Sequence, residues 1–212
     1  MESGMVLITW FIQTDTEQIK QNIVDSFNNF TIISFLTEQH NIEYDYYAAV
    51  IKALIPKNEL LGKSMPVFLE QPFKNIISIE NLFKTIPNKP TSTIEILSIC
   101  YQIPTEEIEP VGIFEFYTAF NFVHNSYNKL IERENKVLHY DPEPEELEAG
   151  IESLSKFGRM ATVDTLAGGD LLKHNQIIEM PYSRVFTKMY LESEKAKYQR
   201  KLIAIKSKKS PE

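Results

Sequence analysis

The sequence is short of the residues that carry disulfide, zinc and tight-turn chemistry. Only one of its 212 residues is cysteine, Cys100. A lone thiol excludes an intramolecular disulfide and puts a cysteine-based zinc site out of reach. Its place in an apolar stretch reads as a small buried hydrophobe, and it fits a reducing compartment. Glycine is scarce, at seven residues. All-β folds with many tight turns use more, so the count leans towards helices. Arginine is absent before Arg133. No run approaches the roughly 18 apolar residues of a membrane span. The opening stretch through Ile12 contains Thr9 and is led by an acid, Glu2. It therefore reads as neither a signal peptide nor a span.

What is present is ordinary globular material. Apolar residues make up 43% and charged residues 24% of the chain, enough for a sizeable core in one large or two small domains. Charge is unevenly placed. Residues 1–90 carry 7 bases and 10 acids, residues 91–183 carry 6 and 16, and residues 184–212 carry 9 and 3. An acidic body with a basic end is the clearest global feature.

The hydrophobic pattern is mainly helical. Thr14-Asp-Thr-Glu17 has capping-box spacing, and Ile19, Ile23, Phe27 and Phe30 follow at helical intervals, predicting a helix over about 15–29. Residues 46–55 give a second stripe, stopped by Pro56. Prolines 56, 66, 72, 87 and 90 restrict the next stretch to short helices such as 74–85. A short helix over 91–101 and a helix start at Pro104 precede a long helix over about 111–138. His139-Tyr-Asp-Pro-Glu-Pro-Glu-Glu146 is the linker candidate. Helices are then expected over 145–156, 170–178 and 181–204, followed by a frayed basic tail over 206–212. The resulting fold class is all-α, with residues 1–13 and 30–37 able to pair as a minor β element near the N-terminus. The expected division is a helical N-terminal domain over 1–138, a linker over 139–146, and a C-terminal helical unit over 147–205.

No catalytic constellation emerges, and the chain reads as non-enzymatic. There is no Gly-x-Ser-x-Gly elbow, and Cys100 with His124 is an unsupported pair. The four histidines, His40, His124, His139 and His174, are scattered. Asp164, Asp170 and His174 could hold a divalent ion, but the stronger reading makes Asp170 a helix N-cap. Ala167-Gly-Gly-Asp170 lacks the Lys and hydroxyl of a phosphate loop, so the glycines read as a tight bend. Glu106-Glu107 and Glu145-Glu146 fall in helix first turns, where acids complement the dipole. No metal or cofactor is expected. The candidate binding residues are the bases of the last helix: Arg184, Lys188, Lys195, Lys197, Arg200 and Lys201. They could meet nucleic acid, an acidic partner or a neighbouring subunit, or simply form a solvated helix face.

Phe157-Gly-Arg-Met-Ala-Thr-Val-Asp-Thr-Leu-Ala-Gly-Gly-Asp-Leu-Leu-Lys173 and the step Ile177-Ile-Glu-Met-Pro-Tyr-Ser-Arg-Val-Phe186 carry a family resemblance. Over about 157–205 the chain resembles tail assembly chaperones of tailed bacteriophages and prophages, which often end in a Met-Pro- or Leu-Pro-led helix. The resemblance implies a protein of the bacterial host cytoplasm that binds the tape-measure protein and tail-tube subunits, with self-association open. It also implies a longer form made by ribosomal frameshifting, for which Lys208-Lys209 is the candidate place. A virion neck or tail component and a nucleic-acid-binding regulator using the basic helix are the alternatives.

Overall fold

The structure, a computed structural model, describes residues 51, 54–140 and 142–209. The helix expected over 15–29, most of the helical stripe expected over 46–55 and the expected N-terminal β element lie outside the described residues. The fold is all-α, and among the described residues β pairing is limited to two isolated bridges, Leu60 with Lys63 and Pro72 with Pro181. The helices are α1 (Phe73–Thr85), α2 (Ser92–Tyr101), α3 (Thr105–Ile108), α4 (Ile113–Leu138), α5 (Pro144–Glu148), α6 (Arg159–Ala167), α7 (His174–Ile178) and α8 (Tyr182–Lys209). Short 3-10 turns lie at Phe68–Glu70, Ile151–Phe157 and Leu171–Lys173.

The chain forms two compact units, each made of two pieces: Met1–Met65 with Leu82–His124, and Pro66–Asn81 with Asn125–Glu212. The sequence reading divided the chain once, around a linker at 139–146. Those residues lie inside the second unit, where α5 begins at Pro144. Proline at the first helical position loses no hydrogen bond, so the Pro-rich stretch starts a helix there.

The first unit is built around α2, which buries residues on nearly every side: Ser92, Thr93, Ile94, Ile96, Leu97, Cys100 and Tyr101. A narrow strip through Thr91, Glu95 and Ser98 is half-exposed. The polar start of α2 is satisfied locally. The Ser92 and Thr85 hydroxyls share a 2.8 Å hydrogen bond, and the Thr93 hydroxyl donates to the Pro90 carbonyl at 2.7 Å. Gln102 ends the helix in the left-handed region, φ 55°. Ile113, Phe116, Ala119 and Val123 supply the buried stripe of the first half of α4. Phe83, Phe116, Tyr117, Phe120 and His124 form a ring cluster beside that stripe. The residues around the first bridge are tied to α4. The Lys57 amide donates to the Thr118 carbonyl at 3.1 Å, and the Leu61 amide donates to Glu115 at 2.7 Å.

The second unit buries Phe68, Phe73, Ile76, Ile79, Tyr127, Leu130, Val163, Ala167, Tyr182, Val185 and Phe186. Two backbone bonds join its pieces. The Phe73 amide donates to the Met180 carbonyl at 2.9 Å, and the Tyr182 amide donates to the Gln71 carbonyl at 2.8 Å. The Phe73 and Tyr182 rings stack there, 5.3 Å apart.

Three local expectations change. The helix expected over 145–156 is two pieces, because Gly150 takes φ 80° after α5 and a 3-10 turn follows. Arg159–Ala167 is a helix that hydropathy did not single out, and it stops at Gly168 and Gly169, both left-handed. The last helix runs past the expected end at 204, because α8 continues to Lys209, inside the stretch expected to fray.

Truncating Phe116 to Ala leaves a cavity at a site with no exposed surface. Urea unfolding should show a loss of about 3–5 kcal/mol.

Candidate interaction surface

One cation links four helices of the second unit. Arg159 opens α6, and its guanidinium reaches three groups from three other helices. Its Nε donates to Glu80 of α1, one terminal nitrogen donates to Glu134 of α4 at 2.9 Å, and the other donates to the Tyr182 hydroxyl of α8 at 3.1 Å. The Tyr182 hydroxyl in turn donates to Glu134. The Arg159 and Glu134 side chains are only 12% and 14% exposed. Burial works against the arginine charge, but Glu134, Tyr182 and Glu80 outweigh it and hold the guanidinium protonated. Burial and then Glu134 push the Tyr182 hydroxyl well above the usual tyrosine range. Burial, reinforced by the charge of Glu80, takes Tyr127 up to about 12.

Hydropathy passed over this site, yet a signal was present. Glu134 follows Val123, Tyr127 and Leu130 at helical intervals, so a carboxylate stands in a buried stripe. Glu80 follows Ile76 by one turn in the same way. A carboxylate at a core position calls for a cation.

Beside the cation lies a groove of ≈ 410 Å³, bounded by the end of α4, by α6 and by α8. Leu138, Ala161, Leu166 and Met189 supply apolar walls, and Thr162, Thr165, Glu192 and Ser193 supply polar ones. Arg159 places α6 and α8 together, and the left-handed glycines 168 and 169 turn the chain back after α6. Asp170 then accepts a 3.0 Å hydrogen bond from the Leu172 amide, the capping role expected for it. Leu171 and Leu172, just beyond, are exposed. His174 pairs with Asp164 at 3.2 Å, while Asp170 pairs with Lys173 at 3.1 Å. The expected trio is thus divided between two pairs, and no group of three metal-ligating side chains occurs among the described residues.

The bases of α8 are largely engaged. Lys188 and Lys195 both pair with Glu192, and Lys197 pairs with Glu194. Arg200 lies 3.8 Å from both Glu143 and Glu146, with its guanidinium 4.3 Å from the centre of the Tyr140 ring. Tyr140 donates to Glu146, which also accepts from the Glu143 amide at 2.8 Å. The stretch expected to be a linker is therefore a clip on the middle of α8. Arg184 and Lys201 are exposed and make no ion pair among the described residues. No helix among the described residues is long and apolar enough to cross a membrane.

Cys100 is fully buried in the first unit, and burial pushes its thiol up to about 12. A protonated, covered thiol is a poor nucleophile. A disulfide reagent at pH 8 should leave the native protein unlabelled and react stoichiometrically once urea unfolds it.

Replacing Arg159 with Met should cost about 3–5 kcal/mol at neutral pH, because two carboxylates stay behind under apolar cover. Urea midpoints of the two proteins at pH 7 check the size.

Comparison of the chain with protein-family models, with curated proteins and with solved structures finds no match.

Proposed function

We propose that this is a non-enzymatic protein of bacteriophage tail morphogenesis, a tail assembly chaperone that binds the tape-measure protein and tail-tube subunits. One observation carries the reading. The groove is lined, apart from Leu138, by residues of the 157–205 stretch that bears the family resemblance. Its size lies in the range of small ligand-sized clefts. Its mixture of apolar walls and a polar margin suits the apolar side chains of an amphipathic helix, as in other helix-in-groove complexes. The same unit leaves Leu154, Phe157, Met160, Leu171 and Leu172 exposed.

The engagement of Lys188, Lys195, Lys197 and Arg200 with acidic side chains weakens the nucleic-acid alternative. Phosphates would have to displace glutamates already in place, next to a body that repels them.

The gene should lie between a tail-tube gene and a very long tape-measure gene. Peptides spanning that neighbour's amphipathic helices are titrated with the full chain by fluorescence anisotropy. Leu166→Asp should weaken the best peptide at least tenfold while leaving the melting temperature within a few degrees, since Leu166 is half-buried. Undiminished binding by this variant would move the site off the groove. A gene neighbourhood with no tail genes would overturn the assignment.

A further inference from the structure

Helix α8 carries a second apolar row, on the side away from its anchor. Tyr182, Val185 and Phe186 are buried and fix the root of the helix, and Met189, Ser193 and Arg200 continue the same side. At 3.6 residues per turn, Leu191, Tyr198 and Ile205 lie roughly opposite. They are 48%, 61% and 52% exposed. The three are seven residues apart, with half-buried Leu202 between the last two.

That spacing has a specific physical meaning. A strict seven-residue apolar repeat drifts about 20° per heptad on a straight helix, and a partner helix that follows it supercoils to the left. The row is a narrow seam, with Lys195 and Glu194 close to its two sides. A helix lying in a membrane surface needs a broad apolar face instead.

Charge identifies the kind of partner. Between Lys195 and Pro211 the chain has seven bases and no acid. Lys195 and Lys197 are offset within the helix by Glu192 and Glu194, and Arg200 is held by the 140–146 clip. Among the others, Lys201 and Lys206 are exposed on opposite flanks of the row, and neither makes an ion pair among the described residues. A second copy lying parallel would present the same bases and bring lysine against lysine.

We propose that the outer row of α8 docks an acidic amphipathic helix of another protein, with Leu191, Tyr198 and Ile205 in the seam and Lys201 and Lys206 facing flanking carboxylates. This surface is separate from the groove and does not depend on the tail-assembly reading. It also accounts for the apolar row, which phosphate binding would leave unused.

The probe is a designed three-heptad peptide with Leu at the seam positions and Glu at the flanking positions, labelled for fluorescence anisotropy. Its twin carries Lys in place of each flanking Glu. The full chain should bind the acidic peptide at least tenfold more tightly than the basic one, and added salt should narrow the difference. The double variant Tyr198→Glu, Ile205→Glu should lose at least tenfold in affinity with unchanged helix content by circular dichroism. Leu166→Asp should bind the acidic peptide as wild type does, which separates failure of this surface from failure of the groove. Equal binding of the two peptides, or binding of neither, overturns the proposal. So does a preference for phosphatidylglycerol vesicles or duplex DNA over the acidic peptide. Sedimentation showing a wild-type dimer that the double variant dissolves would assign the row to a second copy and overturn it likewise.

Discussion

A guanidinium pressed between two carboxylates under apolar cover is the interaction on which the second unit depends. Arg159, Glu80, Glu134 and Tyr182 come from four different helices, and each supplies something the others lack. Without the carboxylates, burying the cation would be prohibitive, and without the cation two negative charges would face each other at short range. The planar fork of arginine is what lets one side chain reach all three partners, and a lysine at 159 would present a single point of charge. The backbone bonds between 71–73 and 180–182 hold the same helices at their ends, so the charged cluster sets spacing where those bonds set direction.

Electrostatics in this chain is better described by pairing than by net charge. The basic end of the sequence looks like a uniform patch when residues are counted. In the folded protein its middle stretch, Lys188 to Arg200, is stitched to Glu192, Glu194, Glu143 and Glu146, while Arg184 before it and Lys201 and Lys206 after it make no ion pair among the described residues. Exposed pairs of this kind contribute little stability. Their effect is on recognition, because an incoming anion must compete with acids already in place.

Much of the architecture was legible because the helices obey simple rules. Pro104 and Pro110 bracket α3, and the apolar repeat from Ile113 to Leu138 coincides with α4. The Gly168-Gly169 bend with its Asp170 cap was likewise visible from conformational preference alone. Other features were hidden for identifiable reasons. α6 is short and weakly amphipathic, and tertiary packing around Val163 and Ala167 makes it a helix more than periodicity does. Arg200, some 55 residues downstream, closes on Glu143 and Glu146 in the expected linker, and no local pattern encodes so distant a partner. The groove was equally out of reach, since its walls come from three helices. The candidate bases were all placed on α8, but their ion pairs were invisible to a count of charges.

The two units are interleaved along the chain, and that has a consequence for synthesis. Residues 66–81 emerge from the ribosome well before the residues from 125 onwards with which they form a unit, while those between complete the other one. The first unit can therefore close as soon as His124 is out. The early segment of the second, with Phe73, Ile76 and Ile79 uncovered, must wait for Tyr182 and Phe186 roughly a hundred residues later. At about 5–20 residues per second, that is an exposure of several seconds. During that interval the nascent chain itself needs shielding, and no single cut in the gene would release either unit whole.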